Sequence, residues 1–198
     1  MSFSTSIQGA MITRCIEAGI SASASTLLVL FILFSEKGLE NPYSRIIFGL
    51  SLGDILQSLG MLISPFAAPS NPGHIFGVGS VESCDAVGFF FVVGSLVVPW
   101  YTLFLTFYFL KRVKYKVSPT DFAKREEKWL HIIIWMYSLL VGIYAVAKGL
   151  INPSKGGSFC YMTAAPQGCE KKEDLECVRG EGGTELHINV SSFHSFRL

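Results

Sequence analysis

Apolar residues in this chain fall in long unbroken runs, not in the i, i+3, i+4 stripes that a water-exposed helix presents. Ala18 to Phe34 (AGISASASTLLVLFILF) carries no charge over 17 residues, and Ile46 to Ala68 carries only Asp54. Ala86 to Leu110 carries none, and Trp129 to Ala147 has His131 as its one ionisable group. A helix crosses the hydrocarbon core of a bilayer with about 20 mostly apolar residues, and backbone groups in lipid must be paired within the segment. Each run fits that length. A soluble all-α bundle, the competing reading, needs a polar stripe on each helix, and GFFFVVGSLVVPWYTLFLTFYFL (88–110) has none.

The pattern predicts an all-α membrane protein with four transmembrane helices, at about 16–35, 45–68, 85–110 and 129–151. Residues 1–15 are then an N-terminal segment, 153–170 a loop, and 171–198 a polar, irregular, disordered tail. Composition agrees: half the residues are apolar and 16% are charged, against roughly 25% in soluble domains. The first 20 residues lack the basic start and compact apolar centre of a cleavable signal peptide, so the first span is expected to insert uncleaved.

Charge sets an orientation. The loop between spans one and two holds Lys37 and Arg45. The loop between spans three and four holds Lys111, Arg112, Lys114, Lys116, Lys124, Arg125 and Lys128. On the opposite face Arg14 stands alone, and 69–84 has no basic residue, although Lys155, Lys171 and Lys172 in the tail dilute the bias. The positive-inside rule puts the basic loops in the cytoplasm and both termini outside. Cys84, Cys160, Cys169 and Cys177 then share the outer, oxidising side, where thiols form disulfides. From the residues alone, Cys84 pairs with Cys160 or with Cys169. Five cysteines leave an odd one, Cys15 or Cys177. No C-x-x-C pair or histidine cluster argues for a metal.

Three stretches together carry a family likeness: NPYSRIIFGLSLGDILQS (41–58), SCDAVGFFFVVGSLVVPWYT (83–102) and GGSFCYMTAAPQGC (156–169). In order, spacing and side of the membrane they resemble the first half of a seven-helix G-protein-coupled receptor of the secretin-like and cAMP-receptor-like kind. The resemblance covers residues 16 to about 170. It implies a bridge from Cys84 at the top of span three to Cys160 in the loop after span four. It further implies an extracellular ligand and, for a full-length chain, a heterotrimeric G protein as partner. The acidic-Arg-aromatic triplet of rhodopsin-like receptors is absent from FYFLKRVKYK (107–116), and no fifth, sixth or seventh apolar run follows Glu170. The expectation is a fragment carrying four of seven helices of a plasma-membrane receptor. The alternative is a four-span scaffold or transport subunit with no G-protein role. A third reading is a partner that pairs with full-length receptors through span one.

Individual residues sharpen this frame. Asp54 lies near mid-bilayer, where a carboxylate must face protein or water, and Ser51 and Ser58 at i−3 and i+4 complete a candidate polar cluster. Its functional reading is a cation or proton site; its structural reading is a hydrogen bond to a neighbouring helix. Pro99 removes a backbone donor inside span three, and with Trp100 and Tyr101 it marks a candidate kink and ligand cavity. The competing expectation is aromatics facing lipid or core. In span one, Ala18 with Ala22, or Gly19 with Ser23, offers a small-residue packing face. Lys111, Arg112, Lys114 and Lys116 form a basic collar that anchors to anionic headgroups, or, by the resemblance, contacts a G protein. Ser118 is a predicted N-cap, with Pro119 first and Asp121 third in the helix that follows. Lys148 can snorkel at the outer end of span four. Asn189 heads an N-V-S glycosylation pattern. His74, His187 and His194 are scattered and make no site. With no nucleophile–base pair and no phosphate-cradling loop, neither an enzyme, a cofactor nor a nucleic-acid partner is expected. The lipid bilayer is the one certain partner.

Overall fold

The computed structural model of the protein describes residues 2–70, 76–153 and 159–163, with side chains from Gly9 onward. His74, Cys169, Cys177, His187, Asn189, His194 and the 171–198 tail lie outside the described residues. Helix α1 runs Ser2–Phe34, α2 Pro42–Ala67 and α3 Val81–Val113. A fourth rod is composite: a short α4 (Pro119–Phe122), a π-helical turn (Ala123–Glu127) and α5 (Lys128–Ala147). All four rods are long and apolar enough to cross a membrane. The chain is an all-α, multi-pass membrane protein.

Helix ends follow local chemistry. Pro42 occupies the first turn of α2, where a missing N–H costs nothing. At the start of α3, Ser80 and Ser83 form a reciprocal capping box, with Ser83 N–H donating to Ser80 Oγ at 3.3 Å and Ser80 N–H to Ser83 Oγ at 2.7 Å. Ser83 Oγ also donates to the Ala67 carbonyl (2.8 Å), fastening the end of α2 to the start of α3. Ser118 caps α4 as predicted, accepting from Asp121 N–H at 3.1 Å. The end of α5 comes four residues before the predicted 151. Gly149 there adopts φ +62°, and its N–H and that of Leu150 reach back to Val146 and Ala145 at 2.9 and 2.8 Å. This left-handed closure suits glycine, and it turns the chain into strand β1.

The boundary of span one also moves. The helix begins at Ser2, so residues 2–15 continue the rod instead of forming a separate segment. No proline interrupts this stretch, and one glycine, Gly9, is too little to stop a helix. At 33 residues each, α1 and α3 are about 50 Å long and exceed the roughly 30 Å hydrocarbon core.

Helix α3 lies at the centre, with Val92, Val93, Val97 and Tyr101 fully buried. Its closest neighbour is α2. A Cβ on Gly94 would collide with the α2 backbone at Gln57 and Gly53, and one on Gly49 would enter the Tyr101 ring. Small residues at such seams let two helices approach until their backbones touch. In α1, Ala18 and Ala22 turn inward, whereas Gly19 has open space around it. Outward faces of α1 and α5 show Ile16, Ile20, Phe31, Ile133, Leu140 and Ile143. Such a surface suits hydrocarbon and would aggregate in water.

After α5 the chain forms a two-stranded antiparallel hairpin, β1 (Ile151–Pro153) and β2 (Cys160–Met162), with Ile151 opposite Met162 and Pro153 opposite Cys160. It sits on α3 at Gly88, where a side chain would strike Ile151. A second small core of Cys84, Ala145, Ile151 and Cys160 holds it there.

Candidate functional site

Two features mark the hairpin end of the bundle. Cys84, in the first turn of α3, is joined by a disulfide to Cys160 of β2, and both residues are buried. The Cys160 N–H donates to Ser64 Oγ of α2 at 2.6 Å, so the hairpin is tied to α2 as well as α3. Of the two partners left open by the residues, the bond selects Cys160, in agreement with the pairing that the receptor resemblance implies. Cys15 is a free thiol. Aromatic contacts of Phe91 with Phe159 and Tyr161 (ring centroids 6.1 and 5.4 Å apart) seal the same end.

The opposite end is polar and links three rods. Arg45 of α2 grips the buried carboxylate of Glu127, Nε to Oε1 and Nη2 to Oε2, the latter at 2.7 Å. Arg45 Nη1 also donates to the Leu39 and Glu40 carbonyls at 2.6 and 2.8 Å, so the same guanidinium fixes the loop before α2. One helical turn beyond Glu127, His131 Nε2 lies 3.6 Å from Glu127 Oε1. His131 Nδ1 is 2.6 Å from the Tyr101 hydroxyl of α3, which also accepts from Trp135 Nε1 at 3.0 Å. Indole N–H can only donate, which frees the Tyr101 proton for His131 Nδ1. That arrangement puts the imidazole proton on Nε2, facing the Glu127 carboxylate. The π-helical turn delivers two adjacent acids to two different helices, Glu127 to α2 and Glu126 to Lys111 of α3 at 2.8 Å. Such turns interrupt helices at functional positions more often than elsewhere.

Sequence reasoning missed this cluster although a signal was present. Glu127, His131 and Trp135 are spaced four residues apart on a helix whose start at Ser118 was legible. Arg45 had been weighed only as a loop charge.

Among the predicted polar residues, Asp54 is half-buried and accepts at Oδ2 from Ser21 Oγ (2.7 Å) and Ser25 Oγ (2.6 Å), both on α1. This corrects the expected cluster with Ser51 and Ser58. Those two serines are buried, and Ser51 Oγ has no hydrogen-bond partner. A helical offset of 40–60° from Asp54, about half the angle between successive residues, turns them off the α1-facing side. The donors come instead from the AGISASAS stretch of α1.

Pro99, Trp100 and Tyr101 do not line a common cavity. Helix α3 is continuous through Pro99. Trp100 points outward at 41% exposure and meets Tyr137 of α5 edge-on, whereas Tyr101 is fully buried in the polar junction. Successive helical residues diverge by about 100°, which separates the two rings. The collar residues also divide their roles. Lys111 pairs with Glu126, and Arg112 Nη1 donates to the Val117 carbonyl at 2.7 Å. Lys114 lies over the Tyr115 ring at 5.7 Å, and Lys116 is exposed with φ +52°. Among the described residues no group of three or more His, Cys, Asp or Glu side chains is placed to hold a metal ion. No known protein-family model matches the chain, and no curated protein matches it.

Proposed function

We propose that the chain is the first four helices of a cell-surface signalling receptor of the seven-helix, G-protein-coupled type, with no enzymatic activity of its own. The observation that carries this reading is the Cys84–Cys160 bond, which pins a hairpin following the fourth span to the top of the third. A hairpin so fixed on α2 and α3 gives the outer end a rigid rim against which an extracellular ligand can be bound. At the other end, the Arg45–Glu127–His131–Tyr101 chain joins α2, α3 and the fourth rod through polar contacts. Polar junctions of this kind have discrete alternative pairings, the raw material of a conformational signal. The N-terminus and hairpin face outside in this reading, and the basic loops meet the G protein in the cytoplasm.

A four-span scaffold or transport subunit is the second reading. It is favoured by the way Asp54 and Glu127 find their partners within these four rods, from Ser21, Ser25 and Arg45.

The test is immunoprecipitation of the native protein from solubilised membranes of its own cells. Co-purification of a G-protein α subunit, released by a non-hydrolysable GTP analogue, is the expected result. A homo-oligomer with no nucleotide-sensitive partner would replace the receptor reading with the scaffold.

A further inference from the structure

The end of α3 poses a problem that the receptor reading does not address. Lys116 is the one residue other than glycine with positive φ among the described residues, at +52°. At its other left-handed positions the chain uses glycine, Gly38 and Gly149. A side chain in this conformation crowds the following carbonyl, a cost that glycine avoids. The turn is nonetheless braced on both sides. Val117 N–H reaches back to the Lys111 carbonyl at 3.1 Å, and Arg112 holds the Val117 carbonyl from the helix. Backbone held in an unfavourable region by its surroundings is a mark of a functional position.

The neighbouring charges indicate what the lysine is for. Acidic groups nearby are already engaged: Glu126 with Lys111, Glu127 with Arg45, and Asp121 with the Ser118 hydroxyl. Lys114, Lys116, Lys124, Arg125 and Lys128 are all exposed, and among the described residues none of them is in an ion pair. Five unneutralised cations therefore lie within residues 114–128, where α3 and the fourth rod leave the apolar zone. Tyr115 and Trp129, 59% and 62% exposed, accompany them. Aromatics beside lysines at helix ends are the composition of a membrane–water interface.

We propose that this face is a docking surface for anionic phospholipid headgroups, with Lys116 held left-handed so that its ammonium serves that surface. The partner follows from position and charge. The surface is continuous with the membrane-spanning helices, so phosphate and carboxylate headgroups are its immediate neighbours. Each basic side chain near an anionic membrane adds about fivefold in affinity. The inference is independent of G-protein coupling and stands if that reading fails.

The experiment places the full chain in nanodiscs of phosphatidylcholine containing trace spin-labelled phosphatidylserine or spin-labelled phosphatidylcholine. Symmetric discs make the result independent of orientation. The protein-bound fraction of label should favour phosphatidylserine, and rising salt should erode the preference. Lys116→Gln keeps the backbone strain and removes the charge, and should weaken the preference about fivefold. Lys116→Gly should weaken it equally while raising the thermal midpoint, and Lys116→Arg should retain it. Replacing all five cations by Gln should abolish the preference. Equal association of both labels with the wild-type protein would overturn the proposal. So would binding of inositol hexakisphosphate to the protein in phosphatidylcholine discs without any phosphatidylserine preference, which marks a soluble polyanion site. An unchanged preference in both Lys116→Gln and Lys116→Gly would remove Lys116 from the surface.

Discussion

Arg45 and Glu127 show how a single pair in an apolar setting gains its weight. Glu127 is 4% exposed, and Arg45 supplies both of its strong contacts. Removing either partner strands a buried charge, which costs about 3–5 kcal/mol. Arg45→Met is therefore expected to destabilise the folded protein in detergent by that amount, read from denaturant unfolding. The double substitution Arg45→Met with Glu127→Leu should recover most of the loss, because no charge is then left without a partner. Tyr101→Phe is milder in kind. It orphans the Trp135 N–H and the His131 ring nitrogen without creating a charge, at a cost of about 1–3 kcal/mol. If Arg45→Met and the double variant unfold alike, the pair contributes little and the junction is held by packing. At this scale the sequence was partly readable. Asp54 stands out in an apolar run, but its partners were misassigned because a one-dimensional pattern gives the face of a residue and not the helix opposite it. Ser21 and Ser25, four residues apart in span one, read as small packing residues until α1 was seen beside α2.

Among the elements, the hairpin depends most on a covalent tie. Its strands are three residues each, too short to be stable without support. The disulfide closes a chain separation of 76 residues, and loop-closure entropy for such a span is on the order of 4 kcal/mol. Cys84→Ser with Cys160→Ser is expected to lower unfolding stability by up to that amount. Its signature should be local first: faster amide exchange at Ile151–Met162, with exchange at the α2–α3 seam little changed. Uniform acceleration throughout would mean that the hairpin and the bundle open as one unit. The seam has its own test. Gly94→Leu inserts a side chain where the α2 backbone lies, and overpacking of this kind costs about 1–3 kcal/mol or more. The four rods were legible because long apolar runs have few alternatives. The hairpin was not, because strands this short leave no alternation to detect, and Gly149, which begins the turn, looks in sequence like any glycine. The glycines of α2 and α3 were equally silent, since their use is set by what lies opposite.

For the whole molecule, two independent physical arguments bear on which end faces out. Cys84 lies in the first turn of α3 and Lys111 in the last. A helix rises 1.5 Å per residue, so the 27 steps between them span about 40 Å, more than the roughly 30 Å of hydrocarbon. The disulfide and the basic loop therefore lie on opposite faces of the membrane. Oxidised cysteines persist outside the cytosol, and basic loops are retained within it. These rules were derived from different chemistry, and on this chain they agree. The orientation that satisfies both puts the hairpin outside and residues 111–128 inside. Cysteines introduced one at a time into that loop, in a Cys15→Ala background, should resist membrane-impermeant maleimide in intact cells and react once the cells are permeabilised. Non-reducing digestion of the same cells should yield a peptide pair linked through Cys84 and Cys160. Labelling of the loop in intact cells, with the linked pair still present, would mean that the basic collar is retained outside by something stronger than its charge. The positive-inside argument would then be wrong for this chain, and the interior docking of a G protein would fall with it. The lipid surface around Lys116 would remain, facing the other leaflet.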